Sequence, residues 1–312
     1  MKPPEHTIGV DENGLGPRLG PMVVTGIRLR IDLVRVPNEA QLRRITSRAG
    51  IGDSKEACAH GDMSGVEAFV LAMLDRHMDV RPATFTQLVA RLGLETSSEL
   101  QSLCPDGEAP RVCFGEALPL PAFGAGPDAD AFDRAMQLRD DGVVLASARV
   151  SSACARRLNV ARIAGRSRFD LDLDAMVALV RALATADRAT EHVAYCGKVG
   201  GRKSYSAALE RMSALVGVLG ERPARSSYRV PGFGEIHFVR DGDATEPAIG
   251  LASLLGKYVR ELWMRRLNNY WHVAVPESVP ASGYHDPVTA RLVEATALVR
   301  AERGVPDNCF ER

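Results

Sequence analysis

The chain has 312 residues, of which 46% are hydrophobic, 25% charged and 5% aromatic. This is the composition of a globular protein with a sizeable core, and it excludes disordered, collagen-like and disulfide-scaffold chains. Basic and acidic residues both number 39, so no overall positive charge points to nucleic-acid binding. No segment is long and apolar enough to predict a membrane span or a signal region. We therefore expect a cytoplasmic protein that does not contact membranes.

The charge is distributed unevenly along the chain. Residues 84–141 hold ten acidic and four basic residues, whereas the rest of the chain holds 29 acidic and 35 basic ones. This acidic stretch also has a middle rich in Pro and Gly between Pro105 and Pro127. We expect residues 84–141 to be a peripheral insertion, with residues 1–83 and 142–312 forming one domain.

The six cysteines lie far apart in the sequence. None of them forms a CxxC pair, so neither a zinc knuckle nor a thioredoxin-like motif is indicated. We interpret them as reduced thiols: Cys58, Cys104, Cys113, Cys154, Cys196 and Cys309.

The hydrophobic pattern indicates alternating strands and helices after an initial hairpin. Two β-rich runs, Thr7–Glu12 and Met22–Leu29, flank a turn rich in Gly and Pro and predict antiparallel strands. Strands are predicted next at 143–146, 192–196 and 235–239, and helices at 66–78, 85–92, 175–183, 205–219 and 249–267. Helical connections favour parallel pairs, so we expect an α/β fold with a mixed sheet covered by helices.

Two pairs of carboxylates stand at predicted strand ends. Asp11 and Glu12 close the first strand, where adjacent ionised carboxylates repel each other and lose hydration unless a cation compensates them. Asp241 and Asp243 follow the strand at 235–239 and share a face if the chain stays extended. A hard divalent cation is the natural partner for such oxygen atoms. The alternative for Asp241-Gly242-Asp243 is an ordinary solvated turn.

Two further motifs have plainer interpretations. The run from Asp170 to Asp174 starts like a calcium-binding loop, but Ala175 stands where that loop needs glycine, so a helix N-terminus capped by aspartate is the better interpretation. The segment Gly197–Ser204 lies where a phosphate-binding loop would, but Arg202 replaces the second glycine. A basic loop near a nucleic-acid backbone is the better interpretation there.

Several motifs, in order along the chain, resemble those of the type 2 ribonuclease H family, which comprises ribonucleases HII and HIII. The first, Gly9-Val10-Asp11-Glu12-Asn13-Gly14-Leu15-Gly16-Pro17 followed by Leu19-Gly20-Pro21-Met22-Val23-Val24, resembles the family's signature. The later matches are Asp53-Ser54-Lys55, Arg157-Leu158-Asn159, Gly242-Asp243-Ala244, the segment from Ile249 to Arg260, and Gly283-Tyr284.

The resemblance implies a ribonuclease H-like fold with a five-stranded mixed sheet, an N-terminal antiparallel hairpin and flanking helices. It also implies an endoribonuclease that uses Mg²⁺ or Mn²⁺ to cleave RNA in RNA–DNA hybrids, or in duplexes containing ribonucleotides, and leaves 5′-phosphate ends. The residues it implies as catalytic metal ligands are Asp11, Glu12 and Asp243, and those it implies as substrate-binding are Gly14, Leu15, Gly16, Lys55 and Tyr284.

The chain departs from this pattern at two positions that bear on activity. Cys196 stands where the family's fourth carboxylate is expected, and a thiol is a soft ligand poorly matched to Mg²⁺. Asp241, Glu246 or Glu261 could supply the missing carboxylate, and Asp241 is included as a further candidate ligand. Leu15 replaces the arginine of the HII type. The alternative function is therefore a catalytically silent ribonuclease H-fold protein that binds nucleic acid or a protein partner.

Overall fold

The computed structural model describes residues 2–51, 62–105, 113, 118–185 and 191–312. Within these residues seven strands form one mixed sheet in the order β3-β2-β1-β4-β7-β6-β5. The strand bounds are β1 His6–Asn13, β2 Met22–Ile31, β3 Val143–Ala153, β4 His192–Gly197, β5 Gly217–Glu221, β6 Arg225–Val230 and β7 Gly234–Val239.

The centre of the sheet confirms the mixed topology and the initial hairpin. β1 and β2 pair antiparallel with Asp11 opposite Thr25, and β2 pairs antiparallel with β3. β4 lies parallel to β1, with Cys196 beside Val10, and β7 lies parallel to β4. The carboxylates of Asp11 and Glu12, at the end of β1, are therefore next to the carboxyl end of β4.

The expected number of five strands is wrong, because the segment predicted as a helix at 205–219 forms only a short helix and then β5. Gly217 and Gly220 lie in β5, and glycine disfavours a helix interior. β5 and β6 pair antiparallel with each other and extend the sheet beyond β7.

Helices flank the sheet on both faces. Their bounds are α1 Glu39–Arg48, α2 Ser64–Met78, α3 Phe85–Leu92, α4 Ser97–Gln101, α5 Ala129–Asp140, α6 Ala155–Ile163, α7 Arg168–Ala184, α8 Ser206–Leu209, α9 Gly242–Thr245, α10 Pro247–Ala274, α11 Pro287–Glu302 and α12 Asp307–Phe310. Among the described residues, no helix is long and apolar enough to cross a membrane.

Two helices, α7 and α10, define the layers. α7 packs with the β1 side chains Ile8 and Val10 in one buried cluster, and α10 packs with Val23 and Ile27 of β2 in another. α10 approaches the sheet closely at Gly9, where an added Cβ would lie 2.1 Å from the backbone oxygen of Ala248. This close contact sets the distance between α10 and the end of β1.

The acidic stretch contributes three helices, α3, α4 and α5. Phe85, Leu88 and Leu138 from this stretch are at most 1% exposed and belong to the same buried cluster as α10. Phe85 also stacks edge-on against Trp263 of α10, with ring centroids 4.8 Å apart. Two of the three helices of residues 84–141, α3 and α5, are thus packed into this core cluster.

Candidate active site

The carboxylates of Asp11 and Glu12 lie at the end of the central strand β1. Consecutive strand residues point to opposite faces of a sheet. Asp11 accepts a hydrogen bond from Ser253 of α10, whereas Glu12 Oε1 accepts one of 2.5 Å from the backbone N–H of Leu15. The two neighbours therefore present oxygen atoms on different sides of one strand end.

Asp11 is surrounded by negative rather than positive charge. The pKa of Asp11 is raised from 3.8 to about 7, mainly by burial and also by the carboxylates of Glu12 and Asp243, against the lowering effect of the hydrogen bond from Ser253. Asp243 acts from the first turn of α9, which follows β7 in the parallel part of the sheet. Glu12 and Asp243, the other two residues that the resemblance implies as metal ligands, are thus both close enough to Asp11 to raise its pKa.

Three arginines lie near Glu12. Burial raises the pKa of Glu12, whereas the Leu15 hydrogen bond and the charges of Arg312, Arg260 and Arg168 lower it. Arg168 also donates to the backbone oxygen of Leu15 at 3.0 Å. Positive charges therefore act on Glu12, whereas the charges that shift the pKa of Asp11 are carboxylates.

The loop after β1 is held by the same arginines. Gly14 has a φ of +88°, and an added Cβ would lie 2.8 Å from Arg260 Nε. Arg312 donates to the backbone oxygens of Gly14 and Gly20. Gly16, in contrast, has no atom within 4 Å of an added Cβ. The loop is thus anchored at Gly14 and open at Gly16.

Tyr284 lies beside this loop. Its side chain is 49% exposed, and the guanidinium of Arg260 lies 4.8 Å from the centroid of its ring. The preceding residue, Gly283, accepts backbone hydrogen bonds of 2.8 and 2.9 Å from Arg18 and Leu19. Lys55, the remaining sequence candidate for substrate binding, lies outside the described residues.

The candidates to replace the missing carboxylate all have arginine neighbours. Asp241 has an 80% exposed side chain and lies 3.6 Å from Arg240. Glu261 pairs with Arg260 at 2.5 Å, and Glu246 lies 3.9 Å from Arg225. None of the three is among the main charges that shift the pKa of Asp11.

Cys196 itself is buried in the core of the α7 face. It is 1% exposed and packs in the cluster that contains Val10 and Phe238, its two partners in the sheet. Burial raises the pKa of the Cys196 thiol, and the carboxylates of Asp172 and Asp11 raise it further. A neutral thiol therefore stands next to a carboxylate that the sequence motifs do not single out.

That carboxylate, Asp172, is the residue that sequence reasoning missed. It lies one helical turn from Arg168, which contacts the Leu15 loop, and one turn from Met176. An atom added at Gly197 would be 4.0 Å from Met176 Cε and 2.7 Å from Asp11 Oδ1. Since residues four apart share a helix face, Asp172 faces the strand ends of β1 and β4.

One carboxylate oxygen of Asp172, Oδ1, has no hydrogen-bond partner among the described residues. The residue is 1% exposed. Burial raises its pKa well above the usual value, and Glu12 and Asp11 raise it further. The available sequence signal was the alternation of aspartate and leucine in 170–174, which on a helix places Asp172 on the apolar face and Asp170 and Asp174 away from it.

These donors fit a divalent cation in their chemistry. The group consists of hard carboxylate oxygens with mutually unfavourable charges, and it includes a buried oxygen without a partner. The side chains do not close on a single point, however: among the described residues, no group of three or more His, Cys, Asp or Glu is placed to hold a metal ion as it stands.

Comparisons with known proteins give matches in structure alone. The chain matches no protein-family model and no curated protein sequence. The structure of ribonuclease HII of Archaeoglobus fulgidus, solved as a complex with PCNA, has 15% identity and a TM-score of 0.47, and the match covers 97% of this chain and 92% of that one.

Two further solved structures give similar values. Ribonuclease H2 of Pyrococcus horikoshii has 16% identity and a TM-score of 0.48, covering 98% of this chain and 92% of that one. Bst-RNase HIII in complex with Mn²⁺ has 14% identity and a TM-score of 0.49, covering 100% and 67%. The chain is thus similar in structure, over nearly its full length, to ribonucleases HII and HIII.

Proposed function

We propose that this protein is a metal-dependent endoribonuclease that cleaves RNA in RNA–DNA hybrid duplexes and leaves 5′-phosphate ends. The observation that carries the proposal is that Asp11 and Glu12 at the end of β1 lie near Asp243, which follows β7 on the other side of the intervening strand β4. Burial and repulsion by the other two carboxylates raise the pKa of Asp11 to about 7. Such an arrangement costs folding free energy in the absence of a cation, and perturbed carboxylates of this kind are concentrated at functional sites.

Asp11, Glu12 and Asp243 would hold the cation, with Asp172 as the fourth carboxylate from α7. When bound, Mg²⁺ or Mn²⁺ activates a water molecule and stabilises the oxygen that leaves the phosphodiester. Asp172 approaches from the helix face that also packs on Cys196, so it provides the hard oxygen that the thiol does not.

The Gly14–Gly16 loop and the arginines around it would bind the nucleic acid. Arg168, Arg260 and Arg312 place positive charge around the Gly14–Gly16 loop, which suits a phosphate backbone. Gly16 leaves space for the close approach of a sugar, and the exposed ring of Tyr284 can pack against one. Recognition of a 2′-hydroxyl by the loop would separate RNA from DNA. Lys55 is a proposed phosphate contact from the sequence motif alone.

A second candidate function is supported by Cys196 and by the spread of the carboxylates. A protein of this fold that has lost catalysis could still bind hybrid duplexes through the arginines around Glu12. The two candidates differ in one outcome, since the binding protein would retain its hybrid and leave the RNA strand intact.

The experiment is a cleavage assay on three labelled duplexes: a continuous RNA–DNA hybrid, a DNA duplex with one ribonucleotide, and plain DNA. We expect cleavage of the hybrid with Mn²⁺ or Mg²⁺, 5′-phosphate products, no cleavage in EDTA and no cleavage of plain DNA. Tight binding of the hybrid without any product would support the second candidate and contradict the first.

A further inference from the structure

A group of basic residues lies beside the candidate active site, in the loop after β4, in the turn between β5 and β6, and at the end of β7. We refer to it as the basic surface. Its five members are Lys198, Arg202, Lys203, Arg222 and Arg240. Lys198 is half-buried, and the other four residues are exposed.

Lys198 joins the loop after β4 to the turn between β5 and β6. Its Nζ donates to the backbone oxygen of Arg222 at 2.9 Å, to Ser226 Oγ at 3.1 Å and to the backbone oxygen of Arg202 at 3.5 Å. Ser226 Oγ donates in turn to the backbone oxygen of Lys203 at 2.7 Å. One ammonium group therefore holds both segments in place, while the side chains of Lys203 and Arg222 stay exposed.

Arg240 belongs to the same surface. Its backbone N–H donates to the backbone oxygen of Ala224 at 2.9 Å, which holds the end of β7 against the turn between β5 and β6. Burial lowers the pKa of Lys198, Glu221 opposes this shift, and the charges of Arg240 and Lys203 add to it. Cations from all three segments are therefore close together.

Nearby carboxylates compensate only part of this positive charge. Asp170 pairs with Arg202 at 2.8 Å, and Asp241 lies 3.6 Å from Arg240. The third carboxylate is that of Glu221, which acts on Lys198. Among the described residues, neither Lys203 nor Arg222 has a carboxylate partner. These two exposed cations are thus free to bind an anion.

The basic surface continues the arginines of the candidate active site. Arg168, which donates to the backbone oxygen of Leu15, and Asp170, which pairs with Arg202, both lie in the first turn of α7. Phe169 lies between them in the sequence and packs against the loop after β4, where a Cβ added at Gly200 would lie 2.8 Å from its ring. Positive charge therefore extends from the loop after β1 to the loop after β4.

The register of the sheet places the basic surface at the same edge as Asp11. Gly197 at the end of β4, where an added Cβ would lie 2.7 Å from Asp11 Oδ1, pairs with Val239, and Val239 pairs with Arg225 at the start of β6. Strands are about 4.8 Å apart, so three spacings put the start of β6 about 14 Å from β1. Each strand of a duplex carries one phosphate per about 3.4 Å of its axis, so this span covers about four phosphates.

We propose that the basic surface binds phosphates of the hybrid duplex several nucleotides away from the phosphodiester that lies at the carboxylates. This inference rests on the proposed function, because it assigns a second contact to the same substrate. Lys203 and Arg222 contact the phosphates, and Lys198 is the positioning residue that holds their segments. Phosphate contacts fix the position of a duplex without reading its sequence, so this surface sets how the hybrid lies over Asp11.

The test is binding of a labelled RNA–DNA hybrid to the full chain in EDTA, measured by fluorescence anisotropy at several salt concentrations. The double variant Lys203→Ala/Arg222→Ala should bind at least about tenfold more weakly, and the slope of log K against log salt should become shallower by about two. Arg229→Ala is the matched control, since Arg229 lies at the other end of β6 and pairs with Glu191 and Glu235. It should bind like the wild type.

Cleavage with Mn²⁺ separates this inference from the proposed function. In the double variant KM should rise at least about tenfold with kcat within about twofold of the wild type, because the carboxylates are untouched. A weakened, less salt-dependent double variant of a wild type that does not cleave would support the basic surface and contradict the nuclease. Unchanged affinity and salt dependence in the double variant would overturn the basic surface, whether or not the protein cleaves. Absence of hybrid binding by the wild type would also overturn it.

Discussion

At the scale of single residues, Asp11 determines how the metal-free protein responds to pH. Its pKa is raised from 3.8 to about 7, so the folded state holds this proton more tightly than the unfolded state does. The stability that this proton contributes is complete below about pH 4 and is lost as the pH rises to about 7. The ionised carboxylate is thus a source of strain that a bound cation would relieve.

We expect Asp11→Asn to remove that pH-dependent loss, because asparagine cannot ionise. The measurement is the Tm in EDTA at about pH 5 and about pH 8, in wild type and variant. The wild-type Tm should fall more between the two pH values than the Tm of the variant. Parallel curves would show that Asp11 does not carry the raised pKa.

Asp172 is the residue whose proposed role is easiest to separate from simple burial. If it is a metal ligand, Asp172→Asn should weaken Mn²⁺ binding by at least about tenfold, as measured by titration calorimetry and by the Mn²⁺-induced rise in Tm. Asp174→Asn on the same helix is the control. Its carboxylate pairs with Arg166 and Arg211, so Mn²⁺ affinity should not change.

The outcomes for Asp172 are distinct. A higher Tm in EDTA with unchanged Mn²⁺ affinity would mean that Asp172 is only a buried charge, while the metal site itself stands. Loss of Mn²⁺ binding in Asp11→Asn, together with unchanged Mn²⁺ binding in Asp172→Asn, would lead to the same conclusion: Asp11 binds the metal and Asp172 does not.

Moving the carboxylate from helix to strand tests whether Cys196 and Asp172 share one role. Cys196→Asp alone places a second carboxylate beside Asp172 in the core and should lower stability by about 1–3 kcal/mol. The double variant Asp172→Asn/Cys196→Asp keeps a single carboxylate there. We expect it to recover stability and Mg²⁺-dependent activity relative to Asp172→Asn. If neither stability nor Mg²⁺-dependent activity recovers, Asp172 and Cys196 do not share one role.

At the scale of elements, the contact between α10 and β1 positions the site. Gly9→Ala would place a methyl group 2.1 Å from the backbone oxygen of Ala248. Relieving this clash requires β1 or α10 to move, because both contacting groups belong to regular backbone. We expect a loss of about 3 kcal/mol in the free energy of unfolding, measured by urea denaturation. Gly65→Ala, in the first turn of α2 with nothing within 4 Å, should cost nothing. Equal effects would contradict this account of the layer spacing.

The sequence predicts these elements well where the hydrophobic period is strong. The hairpin of β1 and β2, the strand β4 and the long helix α10 follow from periods of two and 3.6. The segment 205–219 is misleading because Leu209, Met212 and Val216 have helical spacing, although Gly217 and Gly220 disfavour a helix interior. The local sequence pattern does not show whether the segment forms a helix or pairs as a strand with β6, because that depends on contacts with residues distant in the sequence.

The residues of the candidate site also differ in whether they can be predicted from the local sequence. Asp11, Glu12 and Asp243 are visible in the sequence because strand ends and carboxylates coincide there. Asp172 is not, because its position near the strand ends depends on how α7 packs on the sheet. Long-range packing, rather than spacing along the chain, brings these groups together.

At the scale of the whole molecule, the two sides of the β1 end differ in charge. Glu12 and Asp243 act on Asp11, whereas Arg168, Arg260 and Arg312 act on Glu12 and lie around the loop after β1. Because these arginines would contact phosphates, binding of a nucleic acid should decrease strongly as salt increases. We expect Arg168→Ala to weaken binding of the hybrid and to reduce that salt dependence, as measured by fluorescence anisotropy. An unchanged salt dependence would exclude Arg168 from the interface.

Leu15 bears on which duplex the molecule prefers. Without the arginine of the HII type at this position, we expect cleavage of a continuous RNA–DNA hybrid to be at least comparable with cleavage at a single embedded ribonucleotide. The measurement is the ratio of kcat/KM for the two duplexes. A strong preference for the single ribonucleotide would show that Leu15 has little influence.

The central claim is that the carboxylates at the strand ends form a metal-dependent nuclease site. It is tested most directly by cleavage of an RNA–DNA hybrid with Mn²⁺, comparing the wild type with Asp11→Asn and Asp243→Asn at matched folded fractions. We expect the wild type to cleave the RNA strand and both variants to lose activity by at least about a hundredfold, or about 2.7 kcal/mol of barrier. Full activity in either variant, or an inactive wild type that still binds the hybrid, would contradict the account.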